Sequence, residues 1–344
     1  MTALLNRLAE RWLKTKGFSV VSTRALTAFD RSGSSEPVVP PPPSAEDEQY
    51  LRKDNPALKA LYDRYDALTV NAGIHAKWNP RFVAKQLSIA KFRANSAYVW
   101  SYGELPRPTL LKYFIFAQYA ARRAGPLLTR LSEDAAFGCL AYDFDGYGRV
   151  SRDRLDSAVE LDFVHRHTGL LDKPGLRVLD IGAGYGRLAH RTCEVADVAE
   201  YTCVDAVPES TFLCDFYLRH RGLTGRARAV PLDEVAARGE ALGRFDIAFN
   251  VHSWSECTLA AITWWVDLVR RLEVPYLFVV PNQPDRFLTR EPDRQTRHDF
   301  RPVIEGAGYR LVAEEPVFED PDVQRLLAIP DRLYLFARDG VGTA

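Results

Sequence analysis

From Pro174 onward, short apolar runs alternate with stretches whose apolar positions recur every three or four residues. A run bounded by turn residues reads as a buried strand, and the three-to-four spacing reads as a helix face. Strands are predicted over Arg177–Gly182 (RVLDIG), Tyr201–Asp205 (YTCVD), Ala227–Leu232 (ARAVPL), Phe245–Val251 (FDIAFNV) and Pro275–Asn282 (PYLFVVPN). The segments RLAHRTCEVA, ESTFLCDFYLRHRG and LAAITWWVDLVRRL read as helices among them. Alternating strands and helices imply a parallel sheet with helices on both faces. The last two strand-like runs, YRLVAEEPVF and RLYLFARD, have no long helix between them, which suits an antiparallel hairpin.

Upstream the texture is different. The opening MTALLNRLAERWLKTKGF places Leu4, Leu5, Leu8, Trp12 and Leu13 at helical spacing, an amphipathic segment over 1–30. Residues 31–49 hold four consecutive prolines, Pro40–Pro43, between serine and acidic flanks, and read as a linker or surface excursion. Residues 50–150 read as a helical accessory or lid region. NPALKALYDRYDAL starts with a capping Asn55 and Pro56, and RFVAKQLSIAKFRANSAYVW and TLLKYFIFAQYAARR continue the pattern. FDGYGRVSRD reads as a loop. RLDSAVELDFVHRHTGLL reads as one helix leading into a domain over 151–344.

Charge narrows the partners. Lys+Arg and Asp+Glu both number 45, so the formal net charge is zero and no global basic field draws nucleic acid. The five cysteines are scattered, without a C-x-x-C pair, and read as reduced thiols of a cytoplasmic protein. No apolar run approaches the roughly 18–20 residues of a membrane span.

The chemistry begins at DIGAGYGR, Asp180–Arg187. A glycine loop between strand and helix aims backbone N–H groups at a ligand and lets it touch the main chain. The spacing Gly182-x-Gly184-x-Gly186 departs from the dinucleotide fingerprint G-x-G-x-x-G, whose third glycine would stand where Arg187 does. Asp205 ends the next strand, placed to accept both hydroxyl protons of a ribose.

With these residues the chain resembles the class I S-adenosylmethionine-dependent methyltransferases, whose first motif is E/D-x-G-x-G-x-G. The resemblance covers roughly Leu155–Asp339. It implies a Rossmann-like α/β fold with a seven-stranded sheet, parallel except for one antiparallel strand of the terminal hairpin. It implies S-adenosyl-L-methionine as cofactor. Asp180 would then bind its α-amino group, while Gly182, Ala183, Gly184 and Gly186 face its methionine end. Asp205 would hold the ribose, Leu232 and Asp233 would border the adenine with Ala206 on the other side, and Asn250 would complete the pocket.

The acceptor side is expected in NVHSWSEC, just past the fourth strand. Ligands of open α/β sheets lie beyond the carboxyl ends of the strands. Histidine takes a proton near neutral pH, so His252 is the candidate general base. Glu256 would orient it, act as base itself, or serve only as a helix N-terminal acid. Trp254, Asn282 and His298 are the candidate substrate contacts. No cluster of acidic residues suggests a metal. The long helical N-terminal region, the Ser151–Ser157 segment and HSWSE are similar to bacterial sugar O-methyltransferases. That likeness implies a small-molecule substrate, a sugar or glycoside, with Ser151–Ser157 closing over the ligands; the residues alone equally suit a helix cap by Ser151 or Asp153. O- or N-methylation of another small metabolite, or cofactor binding without catalysis, are the alternatives. The N-terminal helical region is expected to cover the pocket, to join copies of the chain, or both.

Overall fold

The structure is a computed structural model that describes residues 12–13, 15–16, 23–32, 36–73, 77–94, 98, 106–282 and 286–341. Leu4, Leu5 and Leu8 of the expected N-terminal amphipathic segment lie outside them. The described chain starts with helices α1 (Thr23–Asp30), α2 (Ala45–Tyr50), α3 (Pro56–Asp66), α4 (Pro80–Gln86) and α5 (Pro106–Leu128). The proline run is extended and exposed, except for half-buried Pro43, and Ser44 then caps α2. Asn55 and Asn79 accept backbone N–H groups at the starts of α3 and α4, each followed by proline. The helix expected over 81–100 stops at Gln86, and the chain continues in turns to Ala94.

The expected loop at FDGYGRVSRD is instead part of an antiparallel hairpin, β1 (Ala141–Phe144) and β2 (Gly148–Ser151). Gly146 and Gly148 supply the left-handed backbone of its turn. Tyr142, Phe144 and Val150 are buried against α5 and helix α6 (Arg152–Thr168). Strands of four residues are too short to show an alternating period, which explains the misreading.

The sheet follows: β3 (Leu176–Ile181), α7 (Arg187–Val195), β4 (Val198–Val204), α8 (Pro208–His220), β5 (Ala227–Val230), α9 (Leu232–Arg238), β6 (Ile247–Val251), α10 (Leu259–Arg271) and β7 (Tyr276–Val280). It closes with α11 (Arg301–Gly306), β8 (Tyr309–Pro316), α12 (Pro321–Leu327) and β9 (Arg332–Arg338). The seven strands run in the order β5-β4-β3-β6-β7-β9-β8. All neighbours are parallel except β9, which is antiparallel to both β7 and β8. This is the Rossmann-like seven-stranded arrangement that the resemblance implies, with the short helix α12 inserted in the terminal hairpin.

The order reverses between β3 and β6, so the helices after them leave on opposite faces and open a crevice at their carboxyl ends. Beneath it, helix α6 is buried along most of its length, charged residues included. Arg93, Glu133, Asp153 and Arg191 form an almost fully buried ion network. Arg93 reaches Glu133 at 2.9 Å and Asp153 at 3.1 Å, and Arg191 reaches Asp153 at 2.7 Å. Tyr185 of the glycine loop donates its hydroxyl to Asp153 at 2.6 Å. The network thus ties the N-terminal region and α6 to the glycine loop and its helix.

Candidate functional site

A cavity of about 330 Å³ opens at this switch point. Its first wall is the glycine loop. Gly182 and Gly184 have φ of 75° and 58°, values that suit glycine. The N–H of Gly182 donates to Val204 at 2.8 Å, and a side chain at Gly182 would collide with Ser253. Ala183 and Ala206 line the cavity. Gly186 does not. It begins α7, and a Cβ there would approach Cys214 Sγ to 3.0 Å, so its smallness serves close packing on α8 rather than ligand contact.

Two buried carboxylates complete this wall. Asp205 accepts the N–H of Gly184 at 3.0 Å and of Val207 at 2.9 Å, and burial raises its pKa to about 7. Asp180 accepts the Tyr201 hydroxyl at 3.1 Å. Burial raises its pKa to about 7 as well, and the neighbouring charge of Asp205 adds to the rise. Arg187 is spent elsewhere, on Glu160 at 2.7 Å and Ser157 at 2.8 Å.

Three residues expected at the cofactor lie off the cavity. Leu232 is buried in the core, with its N–H on the Tyr65 hydroxyl at 2.9 Å. Asp233 is engaged by Arg64 at 2.8 Å. Helix α3 therefore occupies the place assigned to an adenine edge. Asn250 is buried and structural: it donates to Ile181 O at 2.8 Å and accepts the Trp254 N–H at 3.1 Å. It ties the end of β3 to the turn after β6.

The second wall begins at His252. Its φ is 64°, an unusual value for a non-glycine residue, and its N–H is anchored on Val280 O at 2.7 Å. The imidazole Nε2 lies 3.5 Å from Asp331 Oδ2. Burial alone would lower the His252 pKa. The Asp331 carboxylate, with Glu160 and Glu256 farther off, reverses this and raises it.

Glu256 does not orient His252 by a direct bond. Lys77 and Trp78 Nε1 both donate to its carboxylate, and Asn282 Nδ2 donates to Oε1 at 3.0 Å. Three donors from two distant segments hold it, so it acts as an anchor for the N-terminal region. Trp78 also stacks on Tyr98 at 5.2 Å, and the Tyr98 hydroxyl meets Ser210 Oγ at 2.8 Å beside Gly184.

Trp254 is 1% exposed and packs edge-on against Phe300, so it is core and not a substrate platform. His298 is exposed on a loop paired with Thr289 and lies away from the cavity. Ser151–Ser157 does not close over the site. It is the buried start of α6, with Ser151 as cap, and only Arg152, Asp153 and Asp156 of it reach the cavity wall.

Lys77, Trp78, Tyr98, Glu160 and Asp331 were not anticipated at the site. The local signal at Lys77 and Trp78 is only their position before the Asn79–Pro80 helix start. Asp331 carries none: it precedes a strand as an ordinary turn residue. Among the described residues no three His, Cys, Asp or Glu side chains are grouped to hold a metal ion, and no helix is long and apolar enough to cross a membrane.

No protein-family model and no curated protein matches the chain. Among solved structures it is similar to the [4+2]-cyclase SpnF, at 20% identity over 67% of this chain and 97% of that one, with a TM-score of 0.39. It is also similar to magnesium protoporphyrin IX methyltransferase (ChlM) from Synechocystis PCC 6803, solved with bound SAM, at 17% identity over 56% and 87%, TM-score 0.39. A third is StiE O-MT residues 961–1257, at 15% identity over 48% and 69%, TM-score 0.37.

Proposed function

We propose that this chain is an S-adenosylmethionine-dependent methyltransferase that O-methylates a small-molecule acceptor, a sugar or glycoside. The observation that carries the reading is a convergence on one cavity. The glycine loop and two buried carboxylates form one wall, and His252 stands on the other.

The first wall fits the cofactor. Asp180 is a buried carboxylate whose hydrogen-bond partner is a neutral phenol, so an ammonium group beside it would be strongly favoured. Asp205, already met by the N–H groups of Gly184 and Val207 and by Ser210, is the carboxylate of this wall placed to accept a ribose hydroxyl. Gly182 and Gly184 allow close approach to the main chain, used here by Ser253 and the Tyr98 ring. When bound, the cofactor supplies an electrophilic methyl group on a sulfonium.

The second wall supplies acceptor chemistry. His252 takes the proton of an acceptor hydroxyl, a poor nucleophile until that proton leaves. Glu256, by gripping Lys77, Trp78 and Asn282, holds the N-terminal region against the cavity and limits water. Ser253, Asp156, Glu160 and Asn282 line the same space and suit a polyhydroxylated acceptor. The zero net charge supports a small molecule over nucleic acid.

Calorimetric titration with S-adenosylmethionine, then transfer of its labelled methyl group to a panel of sugars, glycosides and small aromatics, tests the reading. Binding and a mass gain of one methyl on a sugar hydroxyl are expected. Absence of cofactor binding overturns it. His252→Ala is expected to cut kcat by about 10²–10⁴-fold with cofactor affinity unchanged; near-normal turnover removes His252 as the base.

A further inference from the structure

The cavity holds five carboxylates outside the glycine wall, and four are already engaged by cations, Asp153 by Arg191 at 2.7 Å. Glu160 is held by Arg187 at 2.7 Å, Asp156 by Arg152 at 2.9 Å, and Glu256 by Lys77. The fifth, Asp331, faces His252.

Both members of this pair are fixed by their backbones. His252 is anchored through its N–H on Val280, in a left-handed conformation that is uncommon for such a residue. The carbonyl of Asp331 accepts the N–H of Val317 at 2.9 Å, immediately before β9 begins. Because β9 runs antiparallel to β7, its start lies at the edge where β6 and β7 end. The imidazole Nε2 is itself shielded from solvent, although 44% of the side chain is exposed, and it has no hydrogen-bond partner; the Asp331 carboxylate stands 3.5 Å away.

We infer that Asp331 is the positioning residue for His252: its carboxylate, closing on Nε2, accepts a hydrogen bond from the Nε2–H and so leaves Nδ1 as the proton acceptor. A carboxylate behind an imidazole selects the tautomer and stabilises the imidazolium that forms. In the step assigned to His252, the acceptor O–H bond breaks, its proton passes to Nδ1, and the positive charge is balanced by Asp331. Glu160 from α6 and Glu256 from the turn after β6 also face the ring, each already paired, and Lys77, Arg152 and Arg187 are the cations of the cavity wall. The kinetic part of this inference rests on the transferase reading, whereas the pairing itself does not.

The test uses full-length protein with 15N-labelled histidine, the His252 resonance being assigned by its loss in His252→Gln. NMR titration is compared among wild type, Asp331→Asn and Asp331→Glu. In wild type the neutral ring is expected to carry its proton on Nε2 and to titrate above the ordinary histidine value. In Asp331→Asn the titration moves to lower pH, and in Asp331→Glu it returns toward wild type. With labelled S-adenosylmethionine and an accepted sugar, the acid limb of kcat against pH follows the same order. Plateau kcat falls about 10- to 100-fold in Asp331→Asn, with KM within about twofold, and recovers in part in Asp331→Glu. An unchanged His252 titration and tautomer in Asp331→Asn overturns the inference. A shifted titration in a protein that transfers no methyl group sustains the pairing and overturns the transferase reading instead.

Discussion

Along the β3 and β4 rim of the cavity the polar groups are backbone amides and two carboxylates supplied by one continuous stretch, Asp180–Asp205. Along the β6, β7 and β9 rim they are side chains from four segments: Lys77 and Trp78, the His252–Glu256 turn, Asn282, and Asp331. Arg187, the cation of the first rim, is held by Glu160, and both carboxyls are raised to about 7 by burial. The second rim is densely paired. A ligand with a cationic group relieves the first rim, while the second has its charges already matched and is left to position, enclose and move a proton. Under the proposed function, the difference divides the labour between holding a donor and handling an acceptor.

The two rims touch at Gly182 and Ser253, and the largest expected stability effect lies there. Gly182→Ala forces a Cβ into Ser253 at a φ of 75°. A loss of about 3 kcal/mol in urea unfolding is expected, together with loss of cofactor binding. Adding Ser253→Gly removes the collision but not the backbone strain, so it is expected to recover only part. Full recovery would show that the glycine is needed for space alone.

A smaller effect separates the rims by pH. Asp180 has a folded pKa of about 7 against an ordinary 3.8, so the folded protein binds the extra proton between these values. Stability from this group is therefore complete below about 3.8 and is lost as pH rises through about 7. Asp180→Asn is expected to stabilise the cofactor-free protein at pH 8 by about 2 kcal/mol, with little effect at pH 4, while weakening the cofactor. Thermal unfolding at both pH values reads this. Equal shifts at both would show that the buried charge is not the cause.

The smallest effect is expected at the anchor. Glu256→Gln removes the charge gripped by Lys77 but keeps a group able to meet Trp78 and Asn282. The Lys77 side chain is 30% exposed, so about 1 kcal/mol is at stake, read as an acceptor KM raised roughly fivefold with kcat nearly kept. A kcat loss as large as that of His252→Ala would instead place Glu256 in the proton transfer.

The strand and helix alternation, the terminal hairpin, the glycine loop, Asp180, Asp205 and the region of His252 were legible because each is a local pattern. The period of apolar residues reports burial of a face, and three alternating glycines report backbone conformations that side chains oppose. The β1–β2 hairpin escaped because its strands are too short to show a period. Leu232, Asp233 and Asn250 were placed at the cofactor by position along the chain, but helix α3 and a strand-end hydrogen bond claim them. Trp254 and His298 carried suitable chemistry, yet one is buried in the core and the other faces solvent.

By itself, then, the amino-acid order determined the sheet's composition and the glycine-loop rim of the cavity, whose parts lie within one strand–helix–strand unit. Which strand neighbours which, and so which residues meet His252, was decided only by the tertiary structure. An antiparallel last strand carries Asp331 to the carboxyl edge, and a distant N-terminal segment carries Lys77 and Trp78 to Glu256. Contacts across such separations leave no spacing to read, because they are set by packing of whole elements and not by the geometry of neighbouring residues.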